Sequence, residues 1–216
     1  MNATELRVPA RLRRGLYAIT PELHDTARLL RLVEAVLSGG AAMLQYRNKQ
    51  AGAALRRTQA DALAMRCRDA GVPLIINDDP ALARDVGAAG VHLGREDAGI
   101  HEARALLDGG IVGVSCYNDF TLAERAVSDG ADYIAFGSFF PSTTKPGAVR
   151  AGIDLLQRAT ALEPRPAIVA IGGITPTNAA ALVTAGCDLL AVIESVFGAA
   201  DPAGVANDFR RLYEHA

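Results

Sequence analysis

Three side chains of the segment LQYRNKQ, Gln45, Arg47 and Lys49, alternate along the chain. A strand repeats its faces every two residues, so all three point the same way. A carboxamide, a guanidinium and an ammonium on one face make a hydrogen-bonding, cationic pocket for an anion, and would be costly if dry and unpaired. The cations are also unevenly chosen. Of 22 basic residues only Lys49 and Lys145 are lysines, and the rest are arginines. Lysine is a compact point charge suited to phosphate, and arginine's planar fork does not replace it freely.

Carboxylates come next, in IINDDP. Asp79 precedes Pro80, as an N-cap precedes a proline at the first helical position. Asp78 is left without that duty. With Asp97, in GVHLGRED, it forms a candidate pair for Mg²⁺ shared with a pyrophosphate. Asn77 stands beside Asp78, strand five is expected to end at Ser115 in IVGVSC, and FFPSTTKPG brings Ser142, Thr143, Thr144 and Lys145 together. That loop holds more hydroxyls than a connection needs. In AIGGITPTN, Gly172 and Gly173 offer bare amides to a phosphate, with Thr175 expected to cap a helix that begins at Pro176. No histidine or cysteine shows an evident base or nucleophile partner. His92, inside GVHLG, reads as a packed strand residue, and His24, His101 and His215 as surface residues.

The elements that must position these groups follow from the apolar pattern. Eight short runs, GLYAIT, AMLQYR, VPLIIND, GVHLG, IVGVSC, DYIAFGS, AIVAIGGI and LLAVIESVF, read as strands. Amphipathic stretches such as DTARLLRLVEAVLS and ALRRTQADALAMRCRDA lie between them. Gly71, Gly90, Gly110 and Gly130, each just before a strand, are expected at helix C-caps with positive φ. Alternating helices and near-continuous apolar strands require a parallel sheet covered on both faces. Eight such units close into a (β/α)8 barrel, expected over residues 15–216 after a basic tail, residues 1–14. A doubly wound open sheet is the alternative, and no GxGxxG follows the first strand to favour it. Barrels carry their sites where strands end. The candidate residues all fall there.

Composition sets the outer limits. The chain has 216 residues, half of them hydrophobic, a net charge of −2 and no tryptophan. This is the composition of a soluble globular protein, and its charge argues against nucleic acid and membrane surfaces as partners. The three cysteines have no CxxC spacing and read as reduced thiols of a cytoplasmic protein. The basic start MNATELRVPARLRRG lacks the apolar stretch of a signal peptide, and no run approaches the length of a membrane span, so neither is expected.

Taken in order, QxRxK, NDD, GVHLGxxD, GVSC, FFPSTTK and AIGGI resemble the motif series of the thiamine-phosphate synthase family, from about Gly15 to the last helix. The resemblance implies a (β/α)8 barrel that joins hydroxymethylpyrimidine diphosphate to a thiazole phosphate, with Mg²⁺, and releases pyrophosphate. It implies that Gln45, Arg47, Lys49 and Asn77 hold the pyrimidine diphosphate and that Asp78 and Asp97 bind Mg²⁺. By the same resemblance Ser115 and Lys145 contact the diphosphate region. Ser142, Thr144, Gly173, Ile193 and Glu194 hold the thiazole phosphate. Lys145, Ser115, Lys49 and Arg47 are the residues it implicates in catalysis, by neutralising the leaving group without a general base. Three positions depart from the family pattern: Ser142 stands where threonine is commoner, Arg95 where glutamine is usual, and Glu194 where a small residue is usual. Small-molecule substrates are the implied partners, and a homo-oligomer stays open. A thiazole tautomerase or regulator-like relative is the first alternative, but it resembles this barrel with a histidine near the end of strand five, where this chain reads SCYND. A non-catalytic phosphate-ligand sensor is the second.

Overall fold

A computed structural model describes residues 12–94, 99–141 and 149–214. Strands β1 (Gly15–Ile19), β2 (Met43–Tyr46), β3 (Leu74–Asn77) and β4 (Gly90–Leu93) alternate with helices α1 (Thr26–Ser38), α2 (Ala53–Ala70) and α3 (Pro80–Asp85). Helix α4 (Ile100–Leu106) leads to β5 (Ile111–Tyr117), α5 (Phe120–Ser128) to β6 (Tyr133–Gly137), and α6 (Ile153–Ala159) to β7 (Ala167–Ile171). Helix α7 (Ala180–Thr184), β8 (Leu189–Val192), α8 (Glu194–Phe197) and α9 (Pro202–Arg211) follow. Every strand pairs in parallel with the next, and β8 returns to β1, closing the barrel.

Alternation along each strand sorts the apolar side chains into two cores. Leu16, Ala18, Leu44, Ile76, Ile134 and Ile168 face outward and pack under the helices. Tyr17, Met43, Ile75, Tyr133, Val169 and Leu189 face inward and fill the barrel. Tyrosines are unusual filling for a barrel interior, which ordinarily holds branched aliphatic side chains. Their hydroxyls need partners there.

Two aspartates tie the barrel's floor. The Asp132 carboxylate, just before β6, accepts from the backbone N–H of Val112 (2.8 Å) and from Arg104 Nη2 (2.6 Å). Asp188, just before β8, accepts in the same way from Ile168 N–H (2.9 Å) and pairs with Arg165 (3.0 Å) and Arg14 (3.6 Å).

Three local expectations need correction. Gly71 and Gly130 do end helices with positive φ, but the turns before β4 and β5 place it at Gly87 and Gly109, while Gly90 opens β4. LLAVIESVF is not all strand. β8 stops at Val192, and Glu194–Phe197 form a helical turn. No helix begins at Pro176 either. Asn178 accepts from Thr175 N–H (2.9 Å) and donates to the Gly173 carbonyl (3.0 Å), so its side chain stitches a turn, and α7 starts only at Ala180.

Candidate active site

At the mouth of the barrel the ends of β2 and β3 bring Lys49 Nζ within 2.8 Å of Asp78 Oδ2. Asp78 follows the last residue of β3 with φ +63, a left-handed turn that aspartate and asparagine tolerate better than most residues. Far from lacking a local duty, this carboxylate is the partner of Lys49. Asp79 is the N-cap expected of it: its Oδ1 accepts from Leu82 N–H at 2.9 Å, ahead of Pro80.

Gln45 points inward and is buried, and its Nε2 donates to Tyr17 Oη at 2.6 Å. Arg47 lies beyond the strand. Its guanidinium pairs with Glu22 of the β1–α1 loop, and its backbone N–H donates to Thr20 Oγ1 (2.9 Å), which in turn donates to the Arg47 carbonyl (3.2 Å). Glu22 and Thr20 carry no motif, and only the neighbouring positions of β1 and β2 in the sheet expose their role.

Ser115 sits inside β5, which runs on to Tyr117 through a register shift between Ser115 and Tyr117. Bulges of this kind re-aim side chains at barrel rims. Its Oγ lies 2.8 Å from His92 Nε2, so the buried strand histidine expected from the sequence does have a serine hydroxyl as partner, which the sequence did not show. On its other side His92 Nδ1 lies 2.9 Å from Tyr133 Oη, and that oxygen lies 2.8 Å from Tyr17 Oη. One continuous line of hydrogen bonds therefore crosses the barrel from Gln45 to Ser115. Burial pushes the His92 pKa down to about 4, so the ring is neutral near pH 7. Burial also pushes both phenols upward, so they keep their protons.

The loops after β6, β7 and β8 are joined. Phe139 N–H donates to the Ile171 carbonyl (3.2 Å) and Phe140 N–H to that of Gly172 (3.0 Å). A Cβ on Gly173, at φ +61, would come within 2.2 Å of the Pro141 carbonyl oxygen. The glycine thus serves the approach of another loop, where a bare cradle was expected. Ser195 Oγ donates to the Ile174 carbonyl at 2.8 Å and sets Ile193 and Glu194 beside that turn. The Glu194 side chain is folded against Gly198. Asp97, Arg95, Ser142, Thr144 and Lys145, with His215, lie outside the described residues.

A cleft of about 40 Å³ opens beside the Lys49–Asp78 pair, lined also by Asn48, Asn77 and Arg56. Within it Arg56 Nε and Asn48 Oδ1 are buried without hydrogen-bond partners. Sequence reasoning passed over both residues: Arg56 is one of many arginines, and Asn48 sits on the opposite face from its neighbours. Among the described residues no cluster of three or more His, Cys, Asp or Glu side chains gathers for a metal.

A closed parallel barrel with Lys49, Asn77 and Asp78 gathered at neighbouring strand ends has the architecture and site placement of a (β/α)8 enzyme. The family model for thiamine monophosphate synthase matches residues 16–196, and the chain belongs to that family. It is 55% identical over 201 residues to the thiamine-phosphate synthase of Azoarcus sp. (strain BH72), covering 93% of this chain and 97% of that one. It is 54% identical to the enzyme of the same name from Thiobacillus denitrificans, over 92% of this chain and 94% of that one. Among solved structures, a thiamine phosphate pyrophosphorylase from Pyrococcus furiosus superposes with a TM-score of 0.85 at 31% identity, over 96% of this chain and 98% of that one.

Proposed function

We propose that this chain is a thiamine-phosphate synthase, a transferase that condenses hydroxymethylpyrimidine diphosphate with hydroxyethylthiazole phosphate to give thiamine monophosphate and pyrophosphate. The observation that supports the reading is the cleft where Lys49 pairs with Asp78 beside Asn77, in a chain so similar to enzymes of that name. The bond between the pyrimidine methylene carbon and the diphosphate oxygen breaks, and the oxygen leaves with the electron pair. The thiazole nitrogen, which carries no proton, supplies the pair for the new carbon–nitrogen bond. No general base is required.

Gln45, Arg47, Lys49 and Asn77 hold the pyrimidine diphosphate in this reading. Lys49, Lys145 and Ser115 oppose the charge that grows on the departing oxygens. Ser142, Thr144 and the backbone at Gly173, Ile193 and Glu194 receive the thiazole phosphate. Hard oxygen donors suit Mg²⁺, and Asp78 presents its carboxylate at the strand tip where Asp97 of the next loop would join it. When bound there the ion would supply positive charge to the diphosphate. The buried, unpaired thiols fit a reducing, cytoplasmic setting.

The test is to mix the purified chain with both substrates and Mg²⁺ and follow the two products. Pyrophosphate and thiamine monophosphate should appear in equal amounts. Binding of both substrates without turnover would make the chain a ligand sensor and overturn the proposal.

A further inference from the structure

The line of hydrogen bonds through the barrel draws on five strands. Gln45 comes from β2, Tyr17 from β1, Tyr133 from β6, His92 from β4 and Ser115 from β5. Its seat is built into the strands. Gly113 lies between His92 and Tyr133 in the sheet register, and a Cβ there would come within 1.8 Å of the Tyr133 ring. Over that gap the Tyr133 and His92 rings stack at 15°, and Tyr17 meets Tyr133 edge-on at 86°.

Each phenol has one proton and a neutral imidazole one N–H, so if no buried proton is to be left unpaired the line runs as a single chain of donors, in one direction or the other. With the Gln45 amide nitrogen donating to Tyr17, the Tyr17 proton goes to Tyr133 and the Tyr133 proton to His92 Nδ1. The imidazole proton then stands on Nε2 and is given to Ser115 Oγ. Ser115 accepts from behind, and its own proton is left for the mouth. In the reverse polarity Ser115 would donate inward to Nε2 and show the mouth only lone pairs, which repel an anion.

We propose that the relay holds His92 as its Nε2–H tautomer and thereby makes Ser115 a hydrogen-bond donor to an anionic oxygen at the barrel mouth. His92, Tyr133 and Tyr17 are then positioning residues. The role of Ser115 toward the anion rests on the function proposed above, whereas the tautomer does not.

The experiment is nitrogen NMR on the full chain with ¹⁵N-labelled histidine at pH 7, with the His92 signals assigned by their loss in His92→Gln. The wild type should show the Nε2–H tautomer. Tyr133→Phe, which removes one oxygen and keeps the ring, should convert it to a mixture. An Nδ1–H tautomer in the wild type, or a spectrum untouched by Tyr133→Phe, overturns the relay. Kinetics supply the second arm. Tyr133→Phe should lower kcat about tenfold when assayed well below its melting temperature, which should itself fall because Tyr17 and His92 each lose a buried partner. The double variant Tyr133→Phe/Ser115→Ala should be no slower than Ser115→Ala alone. Losses that multiply would show that Tyr133 acts by a route other than Ser115. A wild type with the expected tautomer and no turnover would instead sink the proposed function.

Discussion

Lys49 and Asp78 face each other at 2.8 Å, while the adjacent Asp79 is spent on a helix cap. Two neighbouring carboxylates therefore answer differently to the same substitution. Asp78→Asn keeps a residue suited to positive φ but removes the charge. We expect it to lower activity about tenfold or more and to raise the Mg²⁺ concentration required. Asparagine caps as well as aspartate, so Asp79→Asn should stay within about twofold of the parent. Equal losses in the two variants, with the fold intact, would contradict the division. His92 supplies a second residue-scale test. Burial is the main cause of its low pKa; Lys49 adds to the depression and Asp78 opposes it. The ordinary value is 6.5, so below that pH the unfolded chain takes up a proton that the folded chain refuses until about pH 4. The stability His92 contributes is thus complete above pH 6.5 and is lost as pH falls toward 4, a loss of roughly 3 kcal/mol. Denaturant titrations across that range should show the slope in the wild type and its loss in His92→Gln. Of these contacts, only the Asp79 cap was legible in sequence, because its partner, the Leu82 N–H, lies three residues on. Glu22 with Arg47, and His92 with Tyr133, are brought together by strand register, which no local pattern records.

At the scale of the element, glycines decide how closely parts approach. Ala at Gly113 would drive a methyl group into the Tyr133 ring, and Gly113→Ala should destabilise the chain by roughly 1–3 kcal/mol. Urea unfolding would measure it. Gly173→Ala combines a strained φ of +61 with a clash on the Pro141 carbonyl, so the loop that leads to Ser142 and Thr144 must shift. We expect KM for the thiazole phosphate to rise more than KM for the pyrimidine diphosphate. A selective rise for the pyrimidine substrate would place the two pockets the other way round. The eight strands were readable from their apolar runs, and their ends were not. The apolar run LLAVIESVF continues past Val192 because the helical turn after β8 buries Val196 and Phe197 in the same outer core. Hydrophobicity alone cannot separate the two conformations over so short a run.

For the whole molecule, alternation of strand and helix was enough to indicate the barrel, since eight parallel strands covered by helices have few other ways to bury both faces. The fate of the thiols follows from the same two-layer packing. Cys67, Cys116 and Cys187 are all buried, and burial pushes each pKa up to about 12. None should react promptly with iodoacetamide at pH 8 in the folded chain, and all three should react after denaturation. Prompt labelling of the folded chain would show that the shell around them opens.

Closure of the barrel through β1 and β8 also brings distant parts of the chain side by side on the floor, opposite the mouth. The Arg14 guanidinium lies 5.2 Å from the centroid of the Tyr213 ring and within 3.6 Å of the Asp188 carboxylate. A short peptide could therefore bridge the start of β1 and the turn after α9 without crossing the substrate entrance. With that bridge made, the chain could be opened instead at the exposed Asp108–Gly109 turn, which lies on the same floor between α4 and β5. The order of the strands in the gene would change while every loop at the mouth kept its neighbours. In this protein the linear order of the sequence is a convention of where the circle is cut.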